Sequence, residues 1–224
     1  MRKNIWKWTA LLVAAIVCVG FASCGDDDDE DNKPANNGGG STPTAALVGV
    51  WESLEGGQVM AFNADGMGYT YSTEGVIYGS FFTYKYDAKQ QTIVFNNSAE
   101  ASDTWTVSVL DDKNLYAVFE LYARNHDVKF VRRTDPAVSA EIVGTWKNKD
   151  SDATDVIVFR ADGSGYWSEN SGGATESATY KFVYDAKFHV AVISYDNAGE
   201  KEFWFLKDFD GKSFVLDGNQ YVKQ

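Results

Sequence analysis

The sequence predicts an all-β fold: two tandem eight-stranded antiparallel up-and-down barrels that follow an export segment and a tether. Three observations lead to this prediction. The chain repeats itself once, apolar and polar residues alternate along both repeats, and no segment shows the apolar stripe of an amphipathic helix. The first 44 residues share none of these features and form a separate leader.

Residues 1–23 have the three-part plan of a signal peptide. Three basic residues within the first seven precede an apolar run of 11 residues, Thr9–Val19, and the small residues Ala22 and Ser23 follow. A membrane-spanning helix needs roughly 20 apolar residues, so this run is short for a permanent anchor. We expect the segment to be removed on export, and an uncleaved membrane helix is the alternative.

Cys24 stands directly after this segment and is the only cysteine in residues 24–224. An exported chain with one cysteine cannot form an internal disulfide, so the thiol needs another role. Phe21-Ala22-Ser23-Cys24 resembles the lipobox of bacterial lipoproteins, although Phe21 replaces the usual leucine. The resemblance implies that Cys24 becomes the first residue of the mature protein and carries the lipid. An ordinary cleavage site is the alternative.

Residues 24–44 are predicted to form an acidic, flexible tether. The six consecutive acids Asp26–Asp31 repel one another, and the Asn, Gly, Ser, Thr and Pro residues that follow are typical of linkers. An acidic block behind a lipidated cysteine resembles the surface-export signal of Bacteroidota lipoproteins. It implies a lipid-anchored outer-membrane protein exposed at the cell surface, and a solvated spacer is the alternative.

The charge of the chain argues against two classes of partner. The formal net charge is −12, and the mature chain is more negative still once the basic signal is removed. Nucleic acids and anionic membrane surfaces need a basic patch. We therefore expect no nucleic-acid partner, and attachment to the membrane through the lipid on Cys24.

Residues 45–224 contain a tandem duplication. The motifs Gly-x-Trp and Phe-x-x-Asp-Gly-x-Gly begin at Gly49 and Phe62 and recur, in the same order, at Gly144 and Phe159. Collinear repeats with small insertions in the turns indicate duplicated domains. The predicted boundaries are 45–134 for the first copy, 135–141 for a linker and 142–224 for the second copy.

Each copy is predicted to contain eight short strands. The Ala-Asp-Gly sequences at 64–66 and 161–163 indicate hairpins, because Asp and Gly tolerate a positive φ. Short connections favour strands in sequential order, and eight strands with one apolar face close into a barrel without free edges. In the first copy the strands are expected around 48–53, 58–63, 68–72, 79–87, 91–96, 104–110, 115–120 and 128–133.

The repeated motifs resemble the small lipocalin-like domains of secreted and lipid-anchored Bacteroidota proteins. Gly49-Val50-Trp51 and Gly144-Thr145-Trp146 match the first element of that family, and the glycine-rich hairpins match the second. The resemblance implies that each tryptophan closes one barrel end beneath a basic residue of the last strand. That residue would be Arg132 or Arg133 in the first copy and Lys223 in the second. Paired sandwiches and one sheet shared between the copies are the alternatives.

The sequence offers no catalytic constellation, so we expect neither catalysis nor a metal or other cofactor. His126 falls in the predicted turn RNHDV and His189 at a predicted strand start, and these unmatched positions suggest surface histidines. Gly211-Lys212-Ser213 resembles the end of a phosphate loop, but Leu206 stands where such a loop needs glycine.

Aspartates that recur in both copies are interpreted as turn residues. An aspartate in a turn accepts hydrogen bonds from backbone N–H groups further along the chain. Three further aspartates near the end of the chain have a spacing that fits no calcium loop. The recurring group is Asp65, Asp87, Asp162 and Asp185, and the other group is Asp208, Asp210 and Asp217.

Bulky aromatic residues dominate the predicted inward positions. Such rings bury about 150–250 Å² each and nearly fill an eight-stranded barrel. We therefore interpret them mainly as core residues, and the wall of a shallow ligand site is the alternative. Two functions remain open: a non-enzymatic binder of a small apolar or saccharide ligand, and a surface scaffold that binds other proteins. The candidate rings are Trp51, Phe62, Tyr84, Trp105, Trp146, Phe159, Phe182 and Trp204.

The strand around Trp204 predicts a second buried surface. Phe203 and Phe205 flank this tryptophan and lie on the opposite strand face, whereas the first copy has Thr104 and Thr106 there. Two adjacent exposed rings would form an exposed apolar patch of the kind that marks an interaction surface. We therefore expect Phe203 and Phe205 to face outward and to be covered by the first barrel or by a partner protein.

Overall fold

The computed structural model describes residues 46–96, 102–134, 139–149, 155–171, 173–197 and 199–224. The predicted signal peptide, Cys24 and the acidic tether lie outside the described residues. Every regular element in the described ranges is a β-strand, and Gly40–Gln224 forms one compact unit. No helix of the described part is long and apolar enough to cross a membrane.

The first copy is a closed eight-stranded barrel, which confirms the predicted fold. Consecutive strands pair antiparallel and the last pairs with the first, so the sheet has no free edge. The strands are β1 (Gly49–Ser53), β2 (Gln58–Phe62), β3 (Met67–Ser72), β4 (Tyr78–Asp87), β5 (Thr92–Asn96), β6 (Ser102–Leu110), β7 (Asn114–Leu121) and β8 (Arg124–Arg133).

The second copy repeats this antiparallel order of eight strands. Its sheet starts at the sixth strand and ends at the seventh, so these two strands form the edges. The strands are β9 (Gly144–Asn148), β10 (Val156–Phe159), β11 (Ser164–Ser171), β12 (Ala174–Asp185), β13 (Val190–Tyr195), β14 (Lys201–Phe205), β15 (Ser213–Leu216) and β16 (Asn219–Lys223).

Closure is where the two copies differ. A single residue pair joins the edges of the second sheet: the N–H groups of Lys207 and Val215 each donate to the other's carbonyl, at 2.9 and 2.8 Å. β15 has four residues and turns back at Asp217-Gly218, whereas β7 continues to Leu121. The second copy is therefore a curled sheet with a narrow closure, because its last hairpin is short.

The last hairpin of the first copy also corrects the sequence-based placement of His126. The chain turns at Tyr122 and Ala123, with φ of 51° and 57°, and β8 starts four residues earlier than expected. His126 is therefore not in a turn but in β8, opposite Phe119. The polar run Arg124–Asp127 resembles a loop because both faces of this hairpin arm are largely solvated, which removes the alternation that marks a half-buried strand.

The recurring aspartates are turn residues, as predicted. Asp65 accepts a hydrogen bond from the Met67 N–H at 2.9 Å, and Asp162 accepts one from the Ser164 N–H at 2.9 Å. Asp210 accepts from the backbone of Lys212 at 2.9 Å, so the Gly211-Lys212-Ser213 segment is a capped turn. Among the described residues, no three His, Cys, Asp or Glu side chains form a metal-binding group.

Candidate functional site

Arg132 and Trp51 close one end of the first barrel. The Arg132 guanidinium carbon lies 4.2 Å from the centroid of the Trp51 ring, a cation–π distance, and Nη1 donates to the Val48 carbonyl at 2.6 Å. The Trp51 indole N–H donates to the Leu47 carbonyl at 2.8 Å. Of the two arginines that the resemblance implied, Arg132 has this position. We call this end of each barrel the capped end.

Lys223 and Trp146 form the corresponding contact in the second copy. The Lys223 Nζ lies 5.1 Å from the Trp146 ring centroid and donates to the Glu141 carbonyl at 2.9 Å. Gly49 and Gly144 open the first strands with φ of 144° and 147°, and a Cβ atom on either would overlap the basic side chain. The Gly-x-Trp motif therefore makes room for the cation above each tryptophan.

His189 lies beneath the capped end of the second barrel and is not the surface histidine that the sequence suggested. Its Nδ1 lies 2.8 Å from the Tyr184 hydroxyl, and its ring centroid lies 4.8 Å from that of Phe209. It precedes β13 with φ of 54°, so it is a turn residue and does not begin the strand. Burial first, then the Glu141 carboxylate, raise the pKa of Tyr184 well above its usual range.

The eight candidate rings fill the two barrel interiors. Phe62 and Tyr84 meet edge to face with centroids 4.9 Å apart, and Phe159 and Phe182 repeat this contact at 4.9 Å. None of the eight is more than 9% exposed: Trp51, Phe62, Tyr84, Trp105, Trp146, Phe159, Phe182 and Trp204. They belong to the hydrophobic cores, so a ligand site would have to lie outside these rings.

Polar and aromatic groups meet at the uncapped end of the second barrel. Glu202 accepts hydrogen bonds from the Tyr195 hydroxyl and from the indole N–H of Trp204. In β11, the indole Nε1 of Trp167 is buried without a hydrogen-bond partner among the described residues. Sequence reasoning missed Trp167; the available signal was a tryptophan at the position of Thr70 in the first copy.

Phe203 and Phe205 belong to a third hydrophobic cluster, which lies between the two barrels. Phe203 stacks on Phe81 with ring centroids 4.6 Å apart, and it lies over Gly79, where a Cβ atom would overlap its ring. The ring centroid of Tyr71 lies 6.2 Å from that of Phe203. Of the two coverings considered from the sequence, the structure has the one by the first barrel. We call this contact the seam.

A buried ion pair crosses the seam. Arg133 Nη2 lies 3.0 Å from Asp185 Oδ1, and the two side chains are only 8% and 9% exposed. The Tyr71 hydroxyl also donates to Asp185, and burial together with this carboxylate raises the pKa of Tyr71 far above its usual range. At the edge of the seam, Lys187 Nζ lies 2.6 Å from Glu52. Asp185 therefore has a second role that its turn position did not reveal.

Exposed apolar side chains gather at the uncapped end of the first barrel. Six of the eight large apolar side chains that are exposed in the described ranges belong to three neighbouring loops or their flanking residues. The corresponding loops of the second copy consist mainly of Lys, Asp, Ser, Asn and Gly. We call this surface the rim: Leu54, Val76, Ile77, Tyr78, Leu121 and Tyr122.

No protein-family model matches the chain, and no curated protein sequence matches it either. The functional argument therefore rests on the geometry of this molecule. Its fold and capped ends define a tandem eight-stranded β-barrel protein whose two copies are joined by a buried polar and aromatic seam.

Proposed function

We propose that this chain is a non-enzymatic, lipid-anchored protein of the outer membrane, exposed at the cell surface, which binds another surface protein through the rim. The observation that carries the proposal is the concentration of exposed apolar side chains there, with Tyr122 91% and Val76 78% exposed. Contiguous exposed apolar patches commonly mark interaction surfaces. The corresponding end of the second copy has a polar sequence, so the feature belongs to one copy only.

The chemistry of the rim favours a protein over a membrane as its occupant. The exposed acids Glu55 and Glu74 lie in two of the rim loops, and anionic lipid surfaces repel such groups. The filled barrels favour a partner outside them. Catalysis is not part of the proposal, because the recurring aspartates serve turns and His189 contacts Tyr184 and Phe209.

The anchor gives the first prediction. Cys24→Ser should release the protein from membranes and abolish labelling with [³H]palmitate, because the lipid is proposed to be its only attachment. Folding of the barrels should be unchanged, since their first strand begins at Gly49, after the tether. Fractionation and circular dichroism of the released protein measure both. An unlabelled mutant that still pellets with membranes would indicate an uncleaved helical anchor.

The rim gives the second prediction. A photo-crosslinking amino acid at Tyr122 should form a protein adduct on intact cells, because this side chain is the most exposed apolar group of the rim. The matched position is Thr175, which is exposed at the uncapped end of the second barrel and should form none. Serine at Val76 and Ile77 should remove the adduct at Tyr122 while leaving the melting temperature nearly unchanged.

A small-ligand function is the second candidate, and Trp167 favours it. Its indole N–H is buried without a hydrogen-bond partner among the described residues, and Trp167 packs against the core cluster that contains Trp204, so this N–H could donate to a saccharide hydroxyl. A panel of envelope oligosaccharides and lipids, tested by thermal shift, separates the two functions. A shift with one of them that Trp167→Phe abolishes, together with no adduct at Tyr122, would replace the protein-binding proposal.

A further inference from the structure

Among the described residues, β14 has no strand partner along Lys201–Phe205 on the side away from β13. The N–H of Leu206 donates to the His189 carbonyl and that of Tyr195 to the Glu200 carbonyl, both at 2.9 Å. Hydrogen bonds of an antiparallel ladder alternate along each strand. Backbone groups at 202 and 204 therefore face β13, and those of Lys201, Phe203 and Phe205 face the other way. Within the described residues, the bridge at Lys207 is the only strand pairing on that side.

In the first copy, a strand occupies the corresponding edge. Thr106 and Trp105 of β6 occupy the positions of Phe205 and Trp204, and they pair with Val118 and Phe119 of β7. The second copy has no such residues, because its chain turns at Asp217-Gly218 immediately after β15. The same edge is therefore filled by a strand in the first barrel, and no described residue pairs with it in the second.

An open groove is lined by Lys201, Phe203 and Phe205, the three residues whose backbone groups face the unfilled edge. It has a volume of about 570 Å³ and is lined by β4 of the first barrel and by β14 of the second. Its wall is aromatic, since Phe81 and Phe203 stack there, and Lys201 Nζ lies 5.7 Å from the centroid of the Phe81 ring. The groove thus combines the free backbone groups of β14 with the rings of Phe81 and Phe203 and with charged side chains at Lys201 and Glu202.

We infer that this groove is a second interaction surface, which accepts an extended polypeptide segment of a partner protein as an added strand on β14. Strand addition uses the free N–H and C=O groups of an edge for affinity and the adjacent pockets for specificity. The inference goes beyond the rim, because it places a different segment on a different barrel and does not depend on what the rim binds.

The geometry defines the chemistry of the occupant. In the first barrel Phe119 stacks on Trp105 with ring centroids 5.6 Å apart, so an inward aromatic residue of the added strand should lie over Trp204. The alternate residues should be apolar, because they would lie beside Phe203 and Phe205. An acidic residue at the end of the segment is favoured by the exposed amino group of Lys201.

A peptide with the sequence of β7, residues 114–121, is the probe because it fills the homologous edge. It should bind the purified protein in a fluorescence polarisation titration, whereas a scrambled peptide should not. Replacing Asp217-Gly218 with the first-copy residues 118–127 should lengthen the β15–β16 hairpin so that it occupies the edge of β14 within the same chain. The affinity for the peptide should then fall at least tenfold. A Gly-Ser insertion of equal length is the matched control and should change the affinity less than threefold.

Three results overturn the inference. The first is no binding of the peptide to the natural protein, and the second is equal affinity for the natural and grafted forms when both have native melting curves. The third is a dimer in sedimentation that the graft dissolves, since a second copy would then occupy the groove. If the graft does not fold, Lys201→Pro replaces it. Proline there removes one edge N–H and should weaken binding, while Lys201→Ala keeps it.

Discussion

Asp185→Asn should lower the free energy of unfolding by about 3 kcal/mol, the loss expected when one partner of a buried ion pair is removed. Asparagine retains an oxygen for the turn but removes the carboxylate closest to the buried Arg133 guanidinium, which keeps only the more distant Glu52 carboxylate, 3.8 Å from its Nε. The Tyr71 hydroxyl also loses a charged acceptor. Urea denaturation followed by tryptophan fluorescence measures the change.

Asp87→Asn is the matched control, because Asp87 occupies the same turn in the first copy. Its carboxylate accepts a hydrogen bond from the backbone of Lys89 at 2.8 Å, and Asp87 is exposed and forms no ion pair with an arginine of the described ranges. This substitution should cost less than about 1 kcal/mol. Equal losses at the two positions would mean that the ion pair adds nothing to the turn.

Both charges of the ion pair, on Arg133 and on Asp185, can also be removed together. Arg133→Met combined with Asp185→Asn should be more stable than Asp185→Asn alone by at least about 1 kcal/mol, because the cation that lost its closest carboxylate is no longer buried. Strictly additive losses in the double mutant would show that Arg133 and Asp185 are not coupled. This cycle separates the pair from the turn that Asp185 also caps.

The strands were predictable from sequence because each copy buries one face of its sheet. Alternation along β4 and β12 brings Tyr84 and Phe182 into the cores, where the structure has them. The long arm of β7 and β8 was missed in part, since both of its faces are largely solvated and no alternation marks them. The narrow closure of the second barrel depends on the single pair between Lys207 and Val215, which no local pattern records.

The seam and the site were only partly predictable. Phe203 and Phe205 broke the alternation of their strand, and that violation indicated a covered outer face. Because the turn pattern fully accounts for Asp185, nothing in the sequence indicated that it also forms an ion pair with Arg133. Contacts between residues 52 positions apart follow from how two folded barrels meet, and the turn pattern of one repeat carries no information about them.

Phe203→Thr combined with Phe205→Thr should open the seam while the second barrel stays folded. The substitutions copy the residues of the first barrel, Thr104 and Thr106, so the strand itself should tolerate them. Because the two rings are half-buried, the expected loss is about 3 kcal/mol for the pair, less than for two core phenylalanines. Small-angle scattering should show a larger radius of gyration.

Gly79→Ser tests the same contact from the first barrel. The second copy has Ser177 at this position, so the strand accepts serine, but its Cβ would overlap the ring of Phe203. The substitution alone should therefore destabilise the seam, and it should cost less when Phe203→Thr has already removed the ring. If the losses in free energy of unfolding from Gly79→Ser and Phe203→Thr add fully, the contact between these two residues does not hold the barrels together.

The outcome that contradicts the seam itself concerns the double mutant of Phe203 and Phe205. If the second barrel unfolds in that mutant, the two rings are part of its core.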